Sequence, residues 1–451
     1  MDGNAHFRPK TDWHLSEKHH MAIPWQDLVR EEDRPAKEAS LQERAAVVGR
    51  VGIILLSCGT GAWRVREAMD TVARVLGLTC SADIGLVSLE YTCFSATHHY
   101  SQVLALPTSG VNTDKLDRME RFVHQFAEQY ADQPIREIHL ALGRIQRRSG
   151  NYSFVIGGLA AALACSAFVF LLGGGPVEML CAFIGAGIGN LIRGFMIKKH
   201  MTTLACVGVG VAAACLSYVA VFQSLVAVFN VAPQHEAGYI GAMLFVIPGF
   251  PFITSMLDIS KLDMRSGIER LAYATMITTV AALVGWLFAL LVHSQPGNFL
   301  PLGLSPWLLA VCRVGASFCG VYGFSIMFNS PQKMAITAGL VGAVANTLRL
   351  ELVDLTALPP AAAAFFGALT AGLLASLINR YQGFPRISLT VPSIVIMVPG
   401  LYIYRGVYAI GTNAIATGAL WLTRAVLIIM FLPMGLFLAR LILDKKWRQS
   451  D

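Results

Sequence analysis

The chain has 451 residues, 55% of them apolar and only 14% charged, with a formal net charge of +7 and a mean hydropathy of +0.56. An average soluble protein is about 25% charged. This composition therefore excludes a disordered chain, a nucleic-acid-binding tail protein and a disulfide-held mini-domain. The charge is unevenly placed: residues 1–150 hold 18 Lys/Arg and 19 Asp/Glu, whereas residues 151–451 hold 17 and 9. The first part reads as a soluble domain. The second reads as a membrane domain whose positive excess suits the basic flanks that orient spans. No nucleic-acid partner is implied.

Residues 1–40 are polar, with Glu31-Glu32-Asp33-Arg34 and little periodicity, and are expected to form a mobile tail. A short amphipathic piece at Trp25–Val29 is the one feature there that suits a membrane or a partner. The first 40 residues hold no apolar run of the signal-peptide kind, so insertion is expected to use internal helices. Residues 41–150 read as a small cytoplasmic α/β domain. Leu41–Ser57 has helical apolar spacing, Cys58-Gly59-Thr60-Gly61 breaks it, and a second helix over 62–76 stops at Gly77. Strand-like runs follow at Ile84–Ser95 and Tyr100–Pro107. Asn112 or Thr113 caps a helix to about Tyr130, and Pro134 opens another that ends in the basic stretch Arg144–Arg148.

From Tyr152 onward the apolar runs are long enough to cross a bilayer, which takes about 20 residues. Ten spans are expected, at 152–172, 177–197, 202–223, 238–257, 269–293, 302–328, 334–352, 360–379, 388–408 and 416–443. Lys198, Lys199, Lys261, Arg265, Arg270, Lys333, Arg380 and Arg386 fall in alternate loops, together with Lys445, Lys446 and Arg448 of the tail. The loops at 224–237 and 294–301 carry no Lys or Arg. This bias places both termini in the cytoplasm, with Arg349 and Arg405 as exceptions near outside ends.

The membrane part carries an internal echo. Gly189-Asn190-Leu191-Ile192-Arg193 recurs as Ala345-Asn346-Thr347-Leu348-Arg349. Val246-Ile247-Pro248-Gly249-Phe250 recurs as Met397-Val398-Pro399-Gly400-Leu401, and Ser266-Gly267 as Thr417-Gly418. The expected fold is thus an all-α polytopic membrane domain of about ten helices, a 5+5 repeat, preceded by the small soluble α/β domain. The first module covers 151–297 and the second 298–451. Five spans per module is an odd number, so the second module enters with inverted orientation. That topology suits alternating access around a site at the repeat interface.

Candidate site residues follow from chemistry that hydrocarbon does not tolerate freely. Pro248-Gly249 and Pro399-Gly400 break their spans, freeing backbone groups that can bind ions or a carboxylate; a packing kink is the plainer reading. Arg193 and Arg349 lie near span ends, where snorkelling competes with a carboxylate clamp, and Arg313 lies deeper. Asn190 and Asn346 suit a substrate contact or a helix bridge. Among the few acidic groups (Glu178, Glu236, Asp258, Glu269, Glu351 and Asp354), Asp258 follows the first break and is the candidate for proton coupling. His293 ends a span and suits the interface. The nine cysteines form no C-x-x-C, so neither a disulfide framework nor a cofactor is implied. No metalloprotease, nucleophile-elbow or Walker pattern occurs, which argues against an enzyme and against ATP as energy source. Cys93 with His98 is the residual hydrolase reading. A channel or sensor gated by the soluble domain is the other.

The sequence resembles the bacterial threonine/serine exporters over roughly residues 41–443. The resemblance rests on Gly61-Ala62-Trp63-Arg64-Val65-Arg66-Glu67 with Leu76-Gly77-Leu78, and on Val246–Asp258 with Pro248-Gly249-Phe250-Pro251. Phe328-Asn329 with Pro331, and Val398-Pro399-Gly400, carry it into the second module. Arg66 stands where the family commonly has Glu directly after Arg-Val. In some bacteria the two modules are separate chains, and here they are fused. The resemblance implies a multi-pass protein of the bacterial inner membrane that exports threonine and serine on the proton motive force, with a dicarboxylate such as succinate as alternative cargo. Its partners would be the substrate, protons and the bilayer; a homo-oligomer is left open.

Overall fold

The computed structural model describes Trp25 and residues 34–107, 109–232 and 238–444. Most of the expected tail, residues 1–24 and 26–33, together with Glu236, Lys445, Lys446 and Arg448, lies outside these. The soluble domain comprises α1 (Leu41–Ser57), α2 (Ala62–Val75), β1 (Thr79–Ile84), β2 (Ser88–Ser95), β3 (His98–Ala105), α3 (Thr113–His124), α4 (Phe126–Gln129) and α5 (Ile135–Gln146). Its strands form one antiparallel sheet in the order β1-β2-β3.

Local chemistry explains these boundaries. Ser40 and Glu43 close a reciprocal capping box on α1, satisfying two of the amides that a helix start leaves open. The Asn112 side chain accepts from Lys115 N at 3.0 Å and caps α3. Gly77, at φ +71°, ends α2 in a conformation that L side chains resist. Three strands stand where the sequence suggests two. Ile84 belongs to β1, and β2 begins only at Ser88, after the turn at 85–87. β1 escaped recognition because its inward residues, Cys80 and Ala82, are too small to announce a period-two pattern.

α1 is apolar along most of its length because the domain wraps it: Ala45, Val48, Val51, Ile54 and Leu56 are all buried. At Gly49 the Tyr91 ring occupies the place a Cβ would take, and the Tyr91 hydroxyl donates to Ala45 O at 3.0 Å. Trp25 is buried against the same domain, stacked on His139 with centroids 6.1 Å apart and with Arg50 lying 5.4 Å over its ring. Arg50 Nη1 donates to His139 Nδ1 at 2.9 Å, so the imidazole is neutral with its proton on Nε2. Burial, aided by the adjacent Arg50 charge, pushes the His139 pKa down to about 4.

The membrane domain follows as α6 (Phe154–Leu171), α7 (Pro176–Lys198), α8 (Thr203–Phe229), α9 (Tyr239–Ala242), α10 (Gly249–Ser260) and α11 (Met264–Leu291). Then come α12 (Pro306–Met327), α13 (Gln332–Thr356), α14 (Pro360–Gln382), α15 (Arg386–Val395), α16 (Gly400–Gly411) and α17 (Ile415–Leu443). Among the described residues, eight of these helices are long and apolar enough to cross a membrane. Two further pairs are bent at their Pro-Gly breaks, by 53° between Tyr239–Val246 and Gly249–Ser260 and by 46° between Arg386–Val395 and Gly400–Gly411. Counting each pair as one span gives ten. Proline explains the breaks, since it removes an amide donor and clashes with the preceding turn.

The sequence echo is also an echo of contacts. A Cβ at Gly210 would meet Arg193 Cβ at 3.1 Å and Gly189 O at 3.4 Å; one at Gly367 would meet Arg349 Cβ at 3.1 Å and Ala345 O at 3.1 Å. A Cβ at Gly267 would meet Ser255 O at 3.0 Å, as one at Gly418 would meet Gly406 O at 2.9 Å. The two breaks touch each other reciprocally. Gly249 faces Val395 and Val398, while Gly400 faces Leu244 and Ile247. Such exchange of equivalent partners is what a local two-fold relation produces. Small residues let the helices approach closely, as is usual where lipid provides no hydrophobic drive for association.

Candidate functional site

Two polar constructions stand out, one on each side of the membrane domain. On the side of the soluble domain, the Cys58–Gly61 turn and the start of α3 form a single face, tied by Asn112 N donating to Cys58 O at 3.2 Å. Gly59 holds φ +80° with Gly110 O directly against it, so the turn has no space for a side chain there. α2 begins at Gly61, which has no side chain to cap it. The cap comes from the membrane domain: Asp258 Oδ1 accepts from Ala62 N at 3.0 Å. A Cβ on Gly61 would sit 2.6 Å from that oxygen.

Asp258 is fully buried, and so in effect is its partner Arg270. Asp258 Oδ2 accepts from Ser266 Oγ at 3.0 Å and pairs with Arg270 Nε at 3.3 Å. Arg270 in turn donates to Gly59 O at 3.1 Å and Thr60 O at 2.7 Å. Carboxylate and guanidinium thus grip the same turn from its amide and carbonyl sides. Around them, Arg66 pairs with Asp263 at 2.6 Å, Leu86 N donates to Glu269 at 2.6 Å, and Arg265 meets Asp83 and Glu90.

The second module holds the same face of the soluble domain. Thr113 N donates to Phe328 O at 3.0 Å, and Asn329 Nδ2 donates to Asn112 Oδ1 at 3.0 Å. Thr113 and Ser330 share a hydroxyl bond of 2.7 Å, and the Tyr152 hydroxyl donates to Ser330 O at 2.6 Å. The domain therefore bridges the two modules at the loops around 258–270 and 328–330.

α11 starts at this face and runs 28 residues, about 42 Å at 1.5 Å per residue. The segment after it, which includes Asn298–Leu304, accordingly lies on the opposite side. There a cavity of about 670 Å3 opens between the modules, within the range of small-molecule sites. Its wall includes Arg313, Arg349, Pro399, Gly400, Tyr402 and Arg405. Arg313 pairs with Glu351 at 2.8 Å and Asp354 at 2.5 Å, so its charge is met within the protein. Arg405 donates to Gly297 O at 2.9 Å and lies 5.2 Å over Trp421. Among the described residues neither Arg349 nor Arg405 meets a carboxylate, and the Nε of each lacks a hydrogen-bond partner; Arg405 has the Gly297 and Asn298 oxygens as acceptors, whereas the Arg349 guanidinium has none. The start of α16, with the free amides and partial positive charge of a helix N-terminus, lines the same space.

The predicted residues therefore divide. Arg313, Arg349, Pro399 and Gly400 share the cavity. Asn346, one turn from Arg349, is fully buried; it donates to Ser317 Oγ at 2.8 Å and its Oδ1 lacks a partner. Pro248 and Gly249 form the opposing break, which packs on the second break rather than lining the cavity. Asn190 donates to Gly157 O at 2.9 Å and accepts from Arg193 at 3.3 Å, on α7 away from the cavity. Asp258 sits in the inter-domain face. Cys93 is buried, whereas His98 is exposed and bonded to Thr97 at 2.7 Å. Sequence reasoning missed Tyr402, Trp421 and Arg424 in the cavity and Arg270 in the face. Arg405 signalled itself only as an exception to the charge bias.

Comparisons with known proteins agree on one family. A family model for threonine/serine exporters matches residues 46–293, and a second, described as "Threonine/Serine exporter, ThrE", matches residues 313–442. A protein of Mycobacterium tuberculosis named "Probable threonine/serine exporter" is 24% identical over 388 residues, covering 82% of this chain and 70% of its own. The "Threonine/serine exporter" of Corynebacterium glutamicum is 23% identical over 390 residues, covering 83% and 78%. No solved structure matches.

Proposed function

Since the chain belongs to the threonine/serine exporter family, we propose that it exports threonine and serine across the bacterial cytoplasmic membrane as a secondary transporter driven by protons. The observation that carries this reading is Arg349: a guanidinium with no protein carboxylate, beside a broken helix, in a cavity between the modules. Arginine binds a carboxylate bidentately, and the start of α16 adds hydrogen-bond donors to the same spot. The cavity is then the outward-facing state of the substrate site, and Arg349 holds the amino-acid carboxylate. Arg313 shapes the wall through its ion pairs. The facing breaks at Pro248-Gly249 and Pro399-Gly400 are the place where the two five-span modules, inverted relative to each other, rock during alternating access.

The loop and helix ends that hold the soluble domain carry Lys261, Arg265, Arg270 and Lys333, which supports a cytoplasmic location for that domain. There it caps the inner entrance. Asp258 couples protons to this cap: its protonation removes the charge that pairs with Arg270 and faces the α2 N-terminus, and the cap loosens. Asn190 and Arg193 hold the equivalent place in the first module and serve as the inner counterpart of Asn346 and Arg349. Arg405 and Arg424 in the same cavity favour a second reading, in which the cargo is a small dicarboxylate such as succinate.

The test is transport by the full chain in proteoliposomes loaded with labelled threonine, serine or succinate under an imposed proton gradient. Uphill movement of threonine and serine, abolished by an uncoupler, is expected. Loss of one charged carboxylate contact costs about 2–3 kcal/mol, so Arg349→Gln is expected to weaken apparent substrate affinity roughly 30–150-fold. Movement only down the concentration gradient, insensitive to the uncoupler, would make the protein a channel or uniporter. Unchanged affinity in Arg349→Gln would remove the carboxylate assignment.

A further inference from the structure

One arrangement in the soluble domain has no part in transport as read above. Cys80 on β1 and Cys93 on β2 are directly opposed in the antiparallel ladder. Opposed residues have Cα atoms about 4.5–5.5 Å apart, inside the roughly 4.4–6.8 Å that a disulfide spans. Their side chains project from the same face of the sheet. That face is the inner one, shared with buried Leu89, Tyr91 and Ile84. Both thiols are free; Cys93 is buried and Cys80 half-buried, so Cys80 is the one a reagent reaches. The other half-buried cysteines, Cys312 and Cys319, are seven residues apart on α12, about 10 Å along the helix axis.

The two thiols are also chemically unequal. The neighbouring Cys93 thiol holds Cys80 below its ordinary value, while Cys80 and burial push Cys93 up. Such asymmetry separates an attacking thiol from a resolving one.

We propose that Cys80 and Cys93 are a redox-modification site, converted to a cross-strand disulfide by a low-molecular-weight disulfide of the glutathione class. The Cys80 thiolate attacks one sulfur of RS–SR, forming a mixed disulfide and expelling RS⁻. Cys93 then gives its proton to solvent and attacks the Cys80 sulfur, expelling the second RS⁻. Both leaving thiolates take up protons, so two protein thiols are oxidised and one RS–SR is reduced to two RSH. The new bond closes a ring over residues 80–93. That ring contains Asp83, Leu86 and Glu90, the residues that grip Arg265 and Glu269 of the membrane domain. Oxidation stiffens the hairpin that holds this side of the docking face.

The experiment treats the full chain in detergent with oxidised glutathione, blocks remaining thiols with iodoacetamide and maps peptides by mass spectrometry. Trypsin leaves both cysteines on one peptide, residues 75–115. Wild type is expected to yield this peptide two hydrogens lighter, with neither cysteine alkylated, and reversibly with dithiothreitol. Chymotryptic cleavage after Tyr91 should leave the two halves joined until reduction. Cys93→Ser should trap glutathione on Cys80, a result independent of transport activity. Full alkylation of both cysteines in wild type, or glutathione stable on wild-type Cys80 beside a free Cys93, overturns the proposal.

Discussion

Replacing Asp258 by Asn imitates the protonated carboxyl at nearly constant volume, and so isolates its charge. The Asn oxygen can still accept from Ala62 N, and Arg270 keeps its bonds to Gly59 O and Thr60 O. What disappears is the ion pair at 3.3 Å between two buried side chains. Breaking a buried pair by neutralising one partner costs about 3–5 kcal/mol, because the other charge stays desolvated. The retained carbonyl contacts argue for the lower end, and loss of a charge at a helix N-terminus adds about 0.3–1 kcal/mol. A docking penalty of about 3.5 kcal/mol corresponds to roughly a 300-fold shift in the docking equilibrium. Hydrogen exchange on the full chain reads this directly. The amides of Ala62–Val65 should exchange faster by about that factor in Asp258→Asn, while those of α5 stay unchanged. Transport by the variant should continue but lose its response to an imposed proton gradient. If α2 keeps wild-type protection, the carboxylate is not what holds the domain. If protection falls and gradient dependence survives, Asp258 docks the domain without coupling protons.

The remaining predictions concern separate elements. His139 has a folded pKa of about 4 against an ordinary 6.5, so the unfolded state binds the extra proton first. Its contribution, about 3 kcal/mol, is present above pH 6.5 and lost as pH falls toward 4. Thermal unfolding of the soluble domain should therefore drop across that window, and the drop should shrink in His139→Gln. Tyr239 and Tyr404 share a hydroxyl bond of 2.6 Å between the modules, and Tyr404 also donates to Gly285 O at 3.2 Å. Tyr404→Phe should destabilise the protein by about 1–3 kcal/mol and lower its midpoint in a detergent-melting assay; an unchanged midpoint would show that the pair contributes nothing to the junction. Gly249→Ala places a methyl against Val395 at the meeting of the two breaks. Overpacking there should cost about 1–3 kcal/mol and slow transport at normal expression, whereas full activity would mean that the breaks separate freely.

Much of the architecture was legible in the chain. The membrane helices announce themselves because hydrocarbon demands long apolar runs with internally satisfied backbones, whatever packs beside them. The Pro-Gly breaks were equally visible, since proline acts on its own helix, and both bent pairs fall where Pro248 and Pro399 stand. The Asn112 cap is a local bond between neighbours in sequence, and it formed as expected. β1 was hidden, because small inward residues such as Cys80 and Ala82 leave no periodic trace.

The candidate site was legible only in part. Residue type marked Arg313 and Arg349 as costly in a membrane, but it did not reveal that Glu351 and Asp354 engage one of them and leave the other unengaged. The position of Asp258 ten residues beyond Pro248 suggested a membrane carboxylate. Its actual partners, Ala62 N and Arg270, come from another domain and another helix. Local sequence determines what each segment must do to satisfy its own backbone and bury its own apolar face. Which charges meet is decided by contacts between different helices and domains, from 12 residues apart for Asp258 and Arg270 to 196 for Asp258 and Ala62, and only the tertiary structure brings those together.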